Sequence, residues 1–187
     1  MSAQTDSAAA RRGWSDQFIP EYLQILTNCC GYRDAREATP DEDRLEATDI
    51  VADGTTIACK TRRRSVWERY PEEFALRTKA NGPYRSEWKK ICDGHADKLL
   101  YTFADPSETR IERWWMFDLN SFRTAAKCLF SGCEIHHQHK PEEDVHIGSI
   151  NWLNFPRRYG RLLIQCSEWT PQDVLMPSAE TISCGVV

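Results

Sequence analysis

Residues 47–64 read ATDIVADGTTIACKTRRR, and this stretch decides the fold. Ala47–Ala52 (ATDIVA) has the β-branched alternation of a strand. Asp53-Gly54 is a strong signal for a tight hairpin turn. Thr55–Thr61 (TTIACKT) reads as the returning strand, and Arg62, Arg63 and Arg64 follow it directly. A tight hairpin of this kind is not explained by a lone βαβ unit.

Working outward, Ser15–Cys30 (SDQFIPEYLQILTNCC) predicts a helix. Phe18, Tyr22, Ile25 and Leu26 share one face, Ser15 or Asp16 is the expected N-cap, and Gly31 is a natural stop. Pro20 is tolerable only in the first turn. The acidic run from Asp34 to Glu46 suggests a turn or short helix. Downstream, Glu73–Thr78 alternates as a third strand, and Asn81-Gly82-Pro83 breaks it. Tyr84–Ala96 is a helix candidate carrying Trp88, Ile91 and Cys92 on one side. Leu99–Phe103 and Glu112–Leu119 read as two strands around the turn Asp105-Pro106. Asn120–Phe130 returns to helix, 131–149 reads as a polar insertion or loop, and Arg161–Gln165 reads as a last strand.

This order predicts an α/β fold of the α+β kind: a central mixed sheet with helices on its faces. The expected organisation is a frayed N-terminus over 1–13, a core over 14–130, and a C-terminal extension over 131–187 packed on that core. The chain has 187 residues, 41% of them hydrophobic and 11% aromatic, which suits one domain with a real core and excludes wholesale disorder. No apolar run approaches the ~18–20 residues of a membrane helix. Residues 1–13 lack the apolar stretch of a secretory signal, so the expectation is a cytoplasmic protein without a membrane partner. The eight cysteines are then expected to be reduced.

Asp49 and Lys60 fall on paired strands, which can bring them together at one end of a sheet. Beside a phosphate, a carboxylate can hold Mg²⁺ and a lysine can orient water or stabilise developing charge. The plain alternative is a strand-end carboxylate and an exposed lysine. Charge is blocked along the chain. Residues 60–90 hold ten bases and four acids, a local excess of six positive charges, whereas 34–53 holds eight acids and two bases. The basic set, including Arg62, Arg63, Arg64, Arg77, Lys89 and Lys90, suits a polyanion such as DNA, unless the two blocks pair with each other. Trp67 and Tyr70 interleave rings among these cations. Trp114 and Trp115 are expected on opposite faces of one strand, and Asp118 as a helix N-cap. Trp152, Phe155 and Trp169 are expected to close the core or a homodimer contact. Cys128, Cys133, His136 and His139 offer thiolate and imidazole to zinc, although their spacing fits no common finger, and a solvated His-rich loop is the alternative.

The helix, the segment TDIVADGTTIACKTRRR, and the strand, helix and strand that follow resemble the core of the PD-(D/E)xK nuclease superfamily, over roughly residues 15–130. The whole segment, with YPEEFALR and RWWMFDLNSFR downstream, also looks similar to phage and prophage proteins. The resemblance implies a restriction-endonuclease-like core and a metal-dependent DNA endonuclease, with Mg²⁺ as cofactor and Mn²⁺ as substitute. Asp49 occupies the first motif position, and Ala58-Cys59-Lys60 stands where Glu-x-Lys is usual. Ala58 therefore removes a ligand carboxylate. The resemblance suggests Glu87 as the replacement, Glu73 as the second candidate and Glu21 as a further ligand. Asp49, Lys60 and Glu87 are then the expected catalytic residues, with Asp49, Glu87 and Glu73 around the metal. The competing expectation is a catalytically inactive module of the same fold that binds DNA or a protein partner.

Overall fold

A computed structural model describes residues 13–46, 48–79, 85–140 and 145–167. The main sheet is mixed and has six strands in the order β1-β2-β3-β5-β6-β9. They are β1 (Ala35–Glu37), β2 (Ile50–Ala52), β3 (Thr55–Arg62), β5 (Lys98–Ala104), β6 (Ile111–Asp118) and β9 (Leu163–Cys166). A second sheet has the order β4-β8-β7, with β4 (Glu73–Lys79), β7 (Ile135–Lys140) and β8 (Val145–Asn151). Helices α1 (Ile19–Asn28), α2 (Pro40–Glu46), α3 (Arg64–Arg69), α4 (Glu87–Cys92) and α5 (Leu119–Lys127) complete the fold.

The β2–β3 hairpin turns at Asp53 and Gly54, with φ of 47° and 76°. Two successive positive φ values are what a two-residue type I′ turn requires. The Asp53 carboxylate also accepts the backbone N–H groups of Arg33 (3.1 Å) and Asp34 (2.9 Å), tying β1 to the turn. From β3 the chain crosses over through α3, β4 and α4 before returning as β5, parallel to β3. At the end of that crossover Asp97 Oδ2 accepts from the Thr56 N–H (3.0 Å) and hydroxyl (2.8 Å). Strands β6 and β9 then add antiparallel.

The period-2 pleat of the sheet splits the core into two faces. Leu100, Trp114 and Met116 face one way and pack with Ile50, Ile57 and the α1 residues Tyr22 and Leu26. Leu99, Tyr101, Phe103, Trp115 and Phe117 face the other way. That second face is covered by Phe74, Leu76 and Ile150 of the second sheet, Ile91 of α4, and Phe122 and Ala125 of α5. The Phe74 ring lies 4.7 Å from Phe117 and 5.8 Å from Phe122, so it joins the two sheets and a helix at one point. The expected opposition of Trp114 and Trp115 holds, and both are buried. Phe155 is buried and Trp152 packs 5.5 Å from Trp115, closing the core, while Trp169 lies outside the described residues. Asp118 caps α5 by accepting the Ser121 N–H at 3.0 Å.

Several expectations are corrected. Residues 131–149, expected as a loop, supply β7 and most of β8. Glu73–Thr78 is a strand, but it belongs to the second sheet with these two. Strand pairing therefore crosses the boundary placed at residue 130. Strand β1 lies inside the acidic run. Neither Ser15 nor Asp16 caps α1: the residue before it is Phe18, and no side chain caps it. The Asn81-Gly82-Pro83 break and Cys184 lie outside the described residues. Among the described residues the cysteines form no disulfide, and no helix is long and apolar enough to cross a membrane.

Candidate functional site

Ala58, Lys60 and Arg62 alternate with Cys59 and Thr61 along β3, so all three point toward the second sheet and α4. Asp49 immediately precedes β2. Its backbone is fixed on both sides, by Ala38 N–H to Asp49 O (2.9 Å) and Asp49 N–H to Ile57 O (3.0 Å). This anchoring turns the Asp49 carboxylate onto β3, where Oδ2 accepts the Cys59 N–H at 2.5 Å. Ser86 caps α4 by accepting the Lys89 N–H (3.2 Å), which places Glu87 in the first turn. Glu87 Oε2 accepts from the Lys60 ammonium and from the Arg77 N–H of β4 (3.0 Å).

Asp49, Lys60 and Glu87 thus line a single cavity of about 240 Å³. Arg77, Arg85 and Lys90 line it as well, and so does Asp43 of α2. The cavity therefore mixes four cations with three carboxylates.

Burial pushes the Asp49 carboxyl up to about 7. The Cys59 N–H offsets part of that, while the neighbouring Asp43, Glu87 and Asp16 carboxylates add to it. No cation pairs with Asp49 among the described residues. Burial lowers the Lys60 ammonium below its usual range, against the pull of Glu87. For Glu87, burial acts upward, but the Lys60 charge and hydrogen bond outweigh it and hold the carboxyl low. Lys60 and Glu87 form an ion pair, with side chains 17% and 41% exposed, and Asp49 lines the same cavity outside that pair.

The other expected residues are distributed differently. Glu73 lies outside this cavity: its Oε1 meets His136 Nδ1 (2.5 Å) and its Oε2 accepts the Ser149 hydroxyl (2.6 Å). Glu21 accepts the Ile111 N–H at 2.7 Å and serves as a backbone anchor for β6. Arg62 turns inward onto the Tyr101 hydroxyl (3.1 Å) and the Ala75 carbonyl (3.2 Å). Arg63 pairs with Glu108 at 3.1 Å, and Arg64 with Glu68 and Glu112 at 2.9 and 3.0 Å. Lys89 pairs with Asp93 at 3.2 Å. Of the six cations assigned to a nucleic-acid surface, Arg77 and Lys90 reach the cavity. Asp43 escaped the sequence reading. The clue was the acidic start of the PDEDRLE segment, but only the packing of α2 could place it.

Carboxylate oxygens are the donors that a hard divalent cation takes, and Asp49, Asp43 and Glu87 are of the right kind. Among the described residues, however, no three His, Cys, Asp or Glu side chains gather as a ligand group. This holds equally for Cys128, Cys133, His136 and His139. Cys128 is exposed, His136 bonds Glu73, and the His139 ring stacks 4.2 Å from His146. A half-buried carboxylate without an ion-pair partner, in a cavity that Lys60, Arg77, Arg85 and Lys90 also line, suits a site that takes in a cation, a phosphate group or both. No family model, curated protein or solved structure matches this chain, and the geometry alone carries the functional reading.

Proposed function

We propose that the Asp49–Lys60–Glu87 cavity is a phosphodiester site and that the chain is a metal-dependent DNA endonuclease with a non-standard ligand set. One observation carries this reading: a carboxylate without an ion-pair partner, a lysine of lowered basicity and a helix-borne glutamate, from three separate segments, line one cavity. Asp49 would hold the divalent cation, with Asp43 or Glu87 as the second carboxylate. When bound, the cation would neutralise charge on a phosphoryl oxygen. Arg77, Arg85 and Lys90 hold the phosphate backbone by charge and position it. Lys60, once released from Glu87, donates to the oxygen on which charge develops.

A second reading has its own support. Ala58 contributes no carboxylate, and Glu87 is engaged by Lys60 and Arg77. On that reading the chain binds DNA, or a protein partner, without chemistry.

The test is incubation of purified protein with plasmid, branched and single-stranded DNA, with and without Mg²⁺ or Mn²⁺. Metal-dependent cleavage supports the nuclease reading. Absence of cleavage of every substrate, with binding that weakens steeply with salt, selects the DNA-binding reading. Cleavage that appears only in Ala58→Glu identifies a decayed site.

A further inference from the structure

A second cavity, of about 190 Å³, lies between α3 and the second sheet, with Arg62 and Tyr101 contributed by the main sheet. At roughly 30 Å³ per water it has room for about six. It is smaller than the ~300 Å³ from which sites for drug-sized ligands begin.

Arg62 is the unusual group here. Its Nε donates to the Tyr101 hydroxyl and its Nη2 to the Ala75 carbonyl, and the guanidinium lies 5.9 Å from the Tyr101 ring centroid. A guanidinium carries five N–H donors, so these two contacts leave three unused. Among the described residues no carboxylate forms an ion pair with it. Tyr101 and, without a hydrogen bond, Glu87 support this half-buried charge, but no described carboxylate takes its remaining donors. The acid lining the cavity is Glu73, and both of its oxygens are already engaged, by His136 and by the Ser149 hydroxyl. Glu73 therefore shares the lining with Arg62 and Arg69 while its oxygens are held by His136 and Ser149, which leaves guanidinium donors for an incoming oxyanion.

Arg69 adds a second, exposed cation, and Ser65, Tyr70 and Gln138 add hydroxyl and amide donors. Guanidinium forks match carboxylate and phosphate alike. A carboxylate has two oxygens, and the additional neutral donors favour a group with more. We propose that this cavity binds a small tetrahedral oxyanion, as inorganic phosphate or as the phosphate of a phosphomonoester, held by Arg62 and Arg69. The site shares no lining residue with the Asp49 cavity, so it stands or falls apart from the nuclease reading.

The test is isothermal titration calorimetry in a chloride buffer at pH 7.5. The probes are inorganic phosphate, phenyl phosphate and acetate. The proposal expects one phosphate per chain, at least tenfold weaker binding in Arg69→Ala, and none measurable in Arg62→Gln. Arg69 is exposed, so its variant keeps the test open if Arg62→Gln does not fold. Tighter binding of phenyl phosphate than of phosphate identifies an ester as the ligand, and the reverse order identifies the free ion. Acetate binding as tight as phosphate overturns the proposal. So does phosphate binding that survives both arginine variants but is lost in Lys60→Met, which would place the ion in the first cavity.

Discussion

Replacing Asp49 with Asn should make the protein more stable at neutral and alkaline pH. The carboxyl is half-buried beside β3, accepts one backbone N–H, and has Asp43, Glu87 and Asp16 for charged neighbours. Its value rises from 3.8 to about 7. A carboxyl raised on folding favours the protonated native state. Its contribution is complete below the unfolded value and is lost as pH climbs through the folded one. At about 1.4 kcal/mol per tenfold change, that rise corresponds to about 4 kcal/mol as a ceiling, and roughly half once water in the cavity screens the charge. Asn keeps the shape and the acceptor for the Cys59 N–H but cannot ionise. The variant should match wild type at pH 3.5, gain between about pH 4 and pH 7, and hold an advantage of about 2–4 kcal/mol at pH 8. Urea unfolding across that range measures the difference directly, provided the slopes agree. An advantage that is flat with pH, or an Asn variant less stable than wild type at pH 8, refutes the reasoning. A half-buried acid kept at that cost is the signature expected of a functional group.

Three further outcomes follow from the packing and the ion pair. A double-mutant cycle of Lys60→Met and Glu87→Gln should show a coupling of about 1 kcal/mol, modest because Glu87 is 41% exposed, and no measurable coupling would break the pairing. Phe74→Ala removes the ring that joins both sheets to α5 and should cost about 3–5 kcal/mol by chemical denaturation, so a loss below 1 kcal/mol would contradict that role. Gly148→Ala places a methyl 2.8 Å from Thr78 Cγ2 and 3.0 Å from the Trp88 ring, and should cost about 1–3 kcal/mol, whereas a neutral effect would mean that β8 and α4 are not in contact there.

Local chemistry made most of the main sheet legible. The Asp53-Gly54 turn, the alternation through Trp114 and Trp115, and the Asp118 cap each depend on residues within a few positions of one another. The second sheet depends on partners far apart. Strand β7 reads IHHQHK, whose histidines conceal its alternation, and it is held by pairing Ile135 with Ile150. Gly148 looks like a strand breaker, yet its missing side chain admits Trp88. The same distinction applies to the site. Asp49 and Lys60 were legible because a hairpin fixes their register, and Glu87 because the resemblance pointed to the following helix. Glu73 was drawn away by His136, 63 residues downstream, which no local pattern reveals. The Arg62–Arg64 run read as one basic patch, but the strand pleat sends Arg62 inward while Arg63 and Arg64 pair with Glu108 and Glu112.

The central claim is that Asp49 and Lys60 act together on one phosphodiester. It is tested most directly by the cleavage rate of labelled DNA with Mn²⁺ for wild type, Asp49→Ala and Lys60→Ala purified in parallel. The account predicts cleavage by wild type and at least a hundredfold loss in each variant, with folding intact. Cleavage at the wild-type rate in either variant would contradict it.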